Sequence, residues 1–281
     1  MKDQVSILIL TKNEEIHIER CLKSAFRLTT NIYVVDSNSL DRTREIAMRE
    51  GVNVLSGEFS SFASKLNWSL DNIAWSTPWV LRLDADEVLT DDLVASLQIA
   101  LASVRAEVNG FYLRRQLWFM GRWIKHGGMY PTFSMRLLRK GCARAEVRNL
   151  DEHMILSSGV ALTLNLDIID NPLTDLSSWV DKHNRYSTLE AHAVLSQQDQ
   201  TTSDFIQPRL WGRRVEQVRW MKLRVFYRLP LFIRPLLYFF YRYILRLGFM
   251  DGREGFLFHF MHGLWYRILV DGKIIEQRRR S

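Results

Sequence analysis

Apolar and polar positions follow two alternating periods along the first hundred residues. Val5–Leu10 (VSILIL) is a short apolar run fit for a buried strand, and Glu14–Phe26 has helical spacing, with Ile16, Cys21 and Leu22 among its apolar positions. Ile32–Val35 (IYVV) predicts a second strand, followed by a helix from about Asp41 to Glu50 that Gly51 terminates. Val52–Leu55 predicts a third strand, Phe62–Ile73 a helix, and Trp79–Leu83 (WVLRL) a fourth strand. Strands alternating with helices predict an α/β fold on a parallel sheet. Ligands in such sheets sit beyond the carboxyl ends of the strands. Three polar clusters fall there: Thr11-Lys12-Asn13-Glu14, Asp36 to Asp41, and Asp84 to Glu87.

Beyond Gly110 the pattern changes. Phe111–Leu117 and Met135–Leu138 predict strands on either side of a glycine-rich, basic, aromatic loop, GRWIKHGG at 121–128. An acidic cluster, Asn149-Leu150-Asp151-Glu152-His153, stands in otherwise basic surroundings. Ser177–Leu195 reads as an amphipathic helix, and the polar stretch 196–203 as a linker.

The segment WVLRLDADEVLT (79–90) carries the sharpest chemistry. A strand fit for the core ends in three carboxylates within four residues. Side chains alternate along an extended chain, so Asp84 and Asp86 point to the same side and repel. A hard divalent cation is the natural compensation, because such ions take oxygen ligands from one or two carboxylates and from substrate phosphates. Thr90-Asp91-Asp92 instead has the form of a helix N-cap followed by acids that the helix dipole favours. Neither GxGxxG nor a P-loop follows the first strand, so bound phosphates would be neutralised by metal and side chains rather than by a glycine cradle.

TKNEE after the first strand, VVDSNSLDRT after the second and LRLDADE after the fourth resemble the inverting glycosyltransferases of family 2, which share the nucleotide-sugar-binding GT-A fold. The resemblance covers roughly residues 4–155. The tracts GGMYPTFSMRLLRKG, DEHM and WVDKHNRYSTLEA are similar to the branch that builds bacterial lipopolysaccharide core and other lipid-linked glycans. It implies a mixed sheet flanked by helices, with 1–110 as the nucleotide-sugar-binding half, 111–204 as the acceptor-binding half and 205–281 as a helical extension. Thr11 and Glu14 would line the nucleotide pocket, and Asp36 would hydrogen-bond the uracil ring with Ser39 and Asp41 beside it. Lys65 lies where a basic residue facing substrate would be useful, although a solvated helix face suits it nearly as well. Asp84 would contact ribose and metal, and Asp86 would be the principal ligand of Mg²⁺ or Mn²⁺. The catalytic base would be Glu152 or Asp151, with Glu152 preferred. One base on the face opposite the leaving group means a single displacement and inversion, as in inverting glycoside hydrolysis with an alcohol in place of water.

Charge sharpens the picture of the C-terminal part. Residues 205–281 hold 16 of the 38 Lys/Arg but only 5 of the 31 Asp/Glu, together with 17 of the 33 aromatics. This asymmetry suggests a polyanionic partner. Arg228–Phe249 (RLPLFIRPLLYFFYRYILRLGF) is too interrupted to span a membrane. At about 100° per residue Arg234, Arg242 and Arg246 fall on one helix face, which predicts a helix lying in the membrane interface with its arginines reaching the headgroups. No module for reading nucleic acid is recognisable, and an oligomer is compatible with the same surface. Two cysteines, Cys21 and Cys142, offer no disulfide framework, and the apolar run at 5–10 is too short for a signal-peptide core. The expected location is therefore cytoplasmic, on the inner face of the cell membrane.

Two other classes fit parts of the chain. A phosphatase of the haloacid dehalogenase type also uses Asp-x-Asp after a strand, but at the first strand and with Thr where Val88 stands. A basic membrane or nucleic-acid adaptor on an inactive scaffold would bind its partner without metal-dependent affinity for nucleotides.

Overall fold

The computed structural model describes residues 4–146, 153–196, 208–212 and 214–280. These divide into two compact units, one made of 4–123, 130–146 and 153–173, the other of 124–129 and 174–280. The boundary read at 110/111 therefore falls inside a strand of the first unit, and the helix read over 177–195 belongs with the C-terminal unit.

The first unit opens with β1 (Val5–Thr11), α1 (Ile18–Ala25), β2 (Ile32–Asp36), α2 (Thr43–Arg49), β3 (Asn53–Ser56), α3 (Phe62–Asn72) and β4 (Trp79–Asp84). It continues with β5 (Glu87–Leu89), α4 (Asp91–Ala102), β6 (Val108–Phe119), β7 (Arg122–Trp123), β8 (Thr132–Arg139), β9 (Ala143–Ala145), β10 (Met154–Leu156) and β11 (Val160–Asp170). The main sheet runs β3-β2-β1-β4-β8-β6-β11-β5, with β7 paired to β6. β3, β2, β1 and β4 are mutually parallel, β8 is antiparallel to β4 and β6, and β11 is parallel to β6. This is the mixed, helix-flanked sheet of the GT-A type.

Alternation along β1 shows why the sheet is buried on both faces. Ile7 and Ile9 pack with Leu81 and Leu83 of β4 against Ile18 and Leu22 of α1 and Leu93 and Leu97 of α4. Leu8 and Leu10 project the other way, with Val80, onto Ala63 and Leu66 of α3. The helices start where the sequence signals them. Thr90 Oγ1 accepts the Leu93 N–H at 3.2 Å, with Asp91 and Asp92 in the first turn of α4. Gly51 ends α2 at φ 75°, a left-handed conformation that costs glycine little.

The C-terminal unit contains α5 (Leu176–Ser196), α6 (Arg214–Arg224), α7 (Ile233–Phe240), α8 (Gly252–Phe258) and α9 (Tyr266–Arg280). Wide π-helical turns follow α7 at Tyr241–Leu245 and α8 at His259–Trp265. Its centre is a buried carboxylate. Glu190 of α5 accepts the hydroxyls of Tyr227 (2.7 Å) and Tyr266 (2.6 Å) and pairs with Arg267 (2.6 Å) and Lys222 (3.3 Å). Burial raises its pKa, but Arg267 and Lys222 outweigh that and hold the carboxyl well below the usual range.

The expected cationic face on 228–249 is corrected here. The stretch is not one helix, and two of the three arginines expected on that face point inward. Arg234 is 2% exposed and bonded to Asp271, while Arg242, also 2% exposed, donates through Nε to the Gly127 carbonyl at 3.1 Å. A guanidinium can be buried this way because internal acceptors replace its water.

Candidate nucleotide and metal site

Parallel pairing places Thr11, the last residue of β1, opposite Asp36, the last of β2, so the two loops leave the sheet side by side. Asp36 is fully buried between them. Its Oδ1 accepts the Ser39 N–H (2.7 Å), and its Oδ2 accepts the hydroxyls of Thr11 (2.7 Å) and Ser39 (2.5 Å). Lys65 reaches the same spot from α3, where its Nζ donates to the Thr11 carbonyl at 2.6 Å. It is 5% exposed, so the solvated helix face is excluded. Burial pulls its pKa down to about 8, against the opposing pull of Asp36.

The two loops are laced together one residue at a time. The N–H groups of Asn13, Glu14 and Glu15 donate in turn to Ser39 Oγ (2.8 Å), Thr43 Oγ1 (2.7 Å) and Asp41 Oδ2 (3.0 Å). Asp41 Oδ1 also takes the Thr43 N–H at 3.0 Å, so this carboxylate acts as a loop staple at the start of α2. Glu14 Oε2 lies 2.6 Å from His17 Nδ1, and His17 Nε2 accepts the Leu173 N–H at 2.9 Å. The ring proton therefore sits on Nδ1 and is donated to Glu14.

The third cluster lies beside these, because β4 pairs with β1 on the other side from β2. Asp84 ends β4 and is held by Arg82 of its own strand (3.1 Å) and Arg136 of β8 (3.0 Å). Arg136, 3% exposed, also pairs closely with Glu87, which is 1% exposed and accepts the Asp84 N–H at 2.9 Å. Burial raises the Asp84 pKa, but Arg136 and then Arg82 override it and keep the carboxyl well below its usual range. Glu87 is pushed up to about 8, mainly by burial, with Arg136 opposing. The positive partner expected for Asp84 is thus a pair of guanidinium groups.

Asp86 differs. Its backbone carbonyl accepts from the Asn171 N–H (3.1 Å) and from Arg20 (3.3 Å), which pins the turn. Its carboxylate, half-buried, takes no ion pair or hydrogen bond from a described residue. Near it lies a residue that sequence reading missed. Asp170 ends β11 opposite Glu87 and sits 3.4 Å from Arg115. Burial, and then the charge of Asp86, raises its pKa to about 6. Its one sequence signal was its position at the end of an alternating strand. Arg82 could have been found as well, since period two places it on the same side as Asp84. Asp151 and Glu152 lie outside the described residues. The flanking Glu146 and His153 are bonded to each other at the β9–β10 hairpin, with the Glu146 N–H donating to the His153 carbonyl at 2.9 Å.

Residues 6–146, half of the chain, match the family described as Glycosyl transferase family 2. The chain belongs to that family. An uncharacterized glycosyltransferase of Rickettsia typhi is 32% identical over 100 residues, which is 36% of this chain and 34% of the relative. The matched stretch thus spans about a third of that relative's length. Among solved structures, glucosyl-3-phosphoglycerate synthase from Mycobacterium tuberculosis, in complex with Mn²⁺, UDP and glucosyl-3-phosphoglycerate, aligns at 22% identity and TM-score 0.35, covering 40% of this chain and 44% of that one. S. aureus TarS 1–349 aligns at 14% identity and TM-score 0.46, covering 99% of this chain and 92% of that one.

Family 2 implies a divalent cation, and the donor set of this member fits one. The available groups are oxygens only, as a hard cation requires. One of them, the Asp86 carboxylate, has no partner among the described residues, while the charge of Asp84 is already balanced by arginine. No group of three or more His, Cys, Asp or Glu able to hold a metal occurs among the described residues. Ligands beyond Asp86 would therefore come largely from the diphosphate and water, the usual arrangement for Mg²⁺ at nucleotide sites.

Proposed function

We propose that this family 2 protein is an inverting glycosyltransferase. It moves a sugar from a UDP-sugar to a hydroxyl of a lipid-linked glycan or lipopolysaccharide-core acceptor, at the inner face of the cell membrane. The observation that carries this reading is the unpartnered Asp86 carboxylate at the carboxyl edge of a parallel sheet, next to two laced loops that surround Asp36.

In this reading Asp36 accepts the uracil imide N–H through the lone pair of Oδ1 that Ser39 leaves unused, once the 11–14 and 36–41 loops part. Thr11, Ser39, Asp41 and Glu14 hold those loops in register, and Lys65 places its ammonium beside the nucleotide. Asp84 orients the ribose, and Arg136 and Arg82 keep it ionised. Asp86 would hold Mg²⁺ or Mn²⁺, which when bound would supply positive charge against the charge that develops on the leaving diphosphate. Glu152, or its neighbour Asp151, takes the proton of the acceptor hydroxyl as that oxygen bonds to the anomeric carbon. The bond from that carbon to the diphosphate oxygen breaks at the same time, UDP leaves with the electron pair, and the anomeric configuration inverts.

Titration calorimetry with UDP, GDP and ADP, with and without Mn²⁺ or Mg²⁺, tests the reading. Metal-dependent binding of UDP that disappears in Asp86→Ala is the expected result. If no nucleotide binds under any of these conditions, the transferase reading is wrong.

A further inference from the structure

The C-terminal unit is turned inside out along one stretch of chain. Between Phe232 and Met250, 11 of 19 side chains are apolar and exposed, including Ile233, Leu236, Leu237, Phe240, Ile244 and Leu245. Arg234 and Arg242, the charges that would ordinarily face water, are buried against Asp271 and the Gly127 carbonyl. Arg246 is the one exposed charge in the stretch. Both ends turn on large apolar residues in left-handed conformation, Phe232 (φ 65°) and Leu247 (φ 59°), and both are exposed. Non-glycine residues hold such a conformation only where the surroundings impose it. Soluble surfaces rarely carry so much contiguous apolar sequence unless it meets something.

We infer that residues 232–250 form a wedge that inserts its aliphatic and aromatic side chains into the interfacial layer of an anionic lipid bilayer. Charge selects this occupant over a second copy of the chain. From 217 to 275 the exposed charges are all cationic, Arg224, Arg228, Arg246 and Arg253, while Asp251 and Asp271 are buried and Glu254 is half-buried. A two-fold contact would bring this surface against itself, setting cation on cation with no exposed acid of 217–275 to pair, and the exposed Glu276 that follows is already bonded to Arg280 at 2.6 Å. Anionic headgroups pair with all four. No helix among the described residues is long and apolar enough to cross a membrane, so the contact is with one leaflet. The apolar side chains enter the lipid while the exposed arginines lie at its edge, and of the three arginines expected at the headgroups only Arg246 is exposed to reach them. The inference gives the lipid-linked acceptor of the proposed function a surface to be met on, and rests on that reading for its purpose alone.

Co-sedimentation of the full chain with vesicles of phosphatidylethanolamine and phosphatidylglycerol tests it, with phosphatidylcholine vesicles as the uncharged comparison and no nucleotide present. Wild-type protein should pellet with the anionic vesicles at least about tenfold more strongly than with the uncharged ones. The triple variant Leu236→Ser, Leu237→Ser, Phe240→Ser should lose roughly a hundredfold in partitioning. All three side chains are already exposed, so near-UV circular dichroism and UDP binding should match wild type. Protein that stays in the supernatant with both vesicle types overturns the inference, as does a wild-type dimer that the triple variant abolishes. Vesicle binding that the triple variant leaves intact overturns it too, and assigns the attraction to the basic tail. Because binding is read without nucleotide, this inference and the transferase reading can fail separately.

Discussion

Arg136→Met removes the charge on which two carboxylates depend. Arg136 is 3% exposed and stands between Asp84 and Glu87. Deleting one partner of a buried ion pair costs about 3–5 kcal/mol, because the other charge is left without compensation. Asp84 keeps Arg82 at 3.1 Å, and its side chain is 31% exposed, so water shares its charge. Most of the loss therefore falls on Glu87, which is 1% exposed and retains only the Asp84 N–H, and it is read at pH 9, where a carboxyl with a pKa of about 8 is ionised beside Arg136. The expected loss is at the lower end, about 3 kcal/mol, equivalent to a fall in Tm of roughly 6–12 °C. Urea and thermal unfolding measure it. The double variant Arg136→Met, Glu87→Gln strands no ionised group at Glu87 and should recover about half of the loss. A single-variant loss below about 1 kcal/mol, or a double variant no more stable than the sum of the two singles, would refute the reasoning.

Asp86→Asn should leave thermal stability within about 0.5 kcal/mol of wild type, since its carboxylate has no partner among the described residues to lose. A large destabilisation in a melting experiment would mean that Asp86 is structural. Lys65 is a base whose folded pKa, about 8, lies below its unfolded value near 10.5. At Lys65 the native state then binds fewer protons than the unfolded state between those two values, so the contribution of Lys65 to stability should climb by up to about 3 kcal/mol as pH rises across that window. Buried Cys21, its thiol pKa raised, titrates in the same window, so the readout is the difference between wild type and Lys65→Met in urea denaturation, which should grow with pH; parallel curves for the two proteins would contradict the assignment. Glu190 is a depressed carboxyl, so its contribution is present above the ordinary carboxylate range and is lost as pH falls through its folded pKa. Glu190→Gln should cost about 2–4 kcal/mol at neutral pH, with the gap to wild type closing in strong acid. A gap independent of pH would show that the charge of Glu190 does not hold the C-terminal unit together.

Much of the site was legible along the chain because it depends on local rules. The period-two and helical stretches place β1, β2 and β4, and with them the carboxyl-edge positions of Thr11, Asp36 and Asp84. The Thr90 cap and the Gly51 stop depend on one or two residues each and appear as expected. Acid partners are a different matter. Arg136 reaches Asp84 from 52 residues away and Asp170 faces Glu87 across a strand pair, so both depend on sheet order, which periodicity does not encode. The C-terminal stretch separates the two kinds of information most clearly. Helical spacing put Arg234, Arg242 and Arg246 on one face, but a periodic pattern defines two faces without saying which one is inside. Asp271, 37 residues after Arg234, and the Gly127 carbonyl, 115 residues before Arg242, supplied the acceptors that let the charged face turn inward. The sequence determined the elements and which residues share a face. Only the tertiary structure decided which face is buried, because a charge stays inside only where distant groups satisfy it.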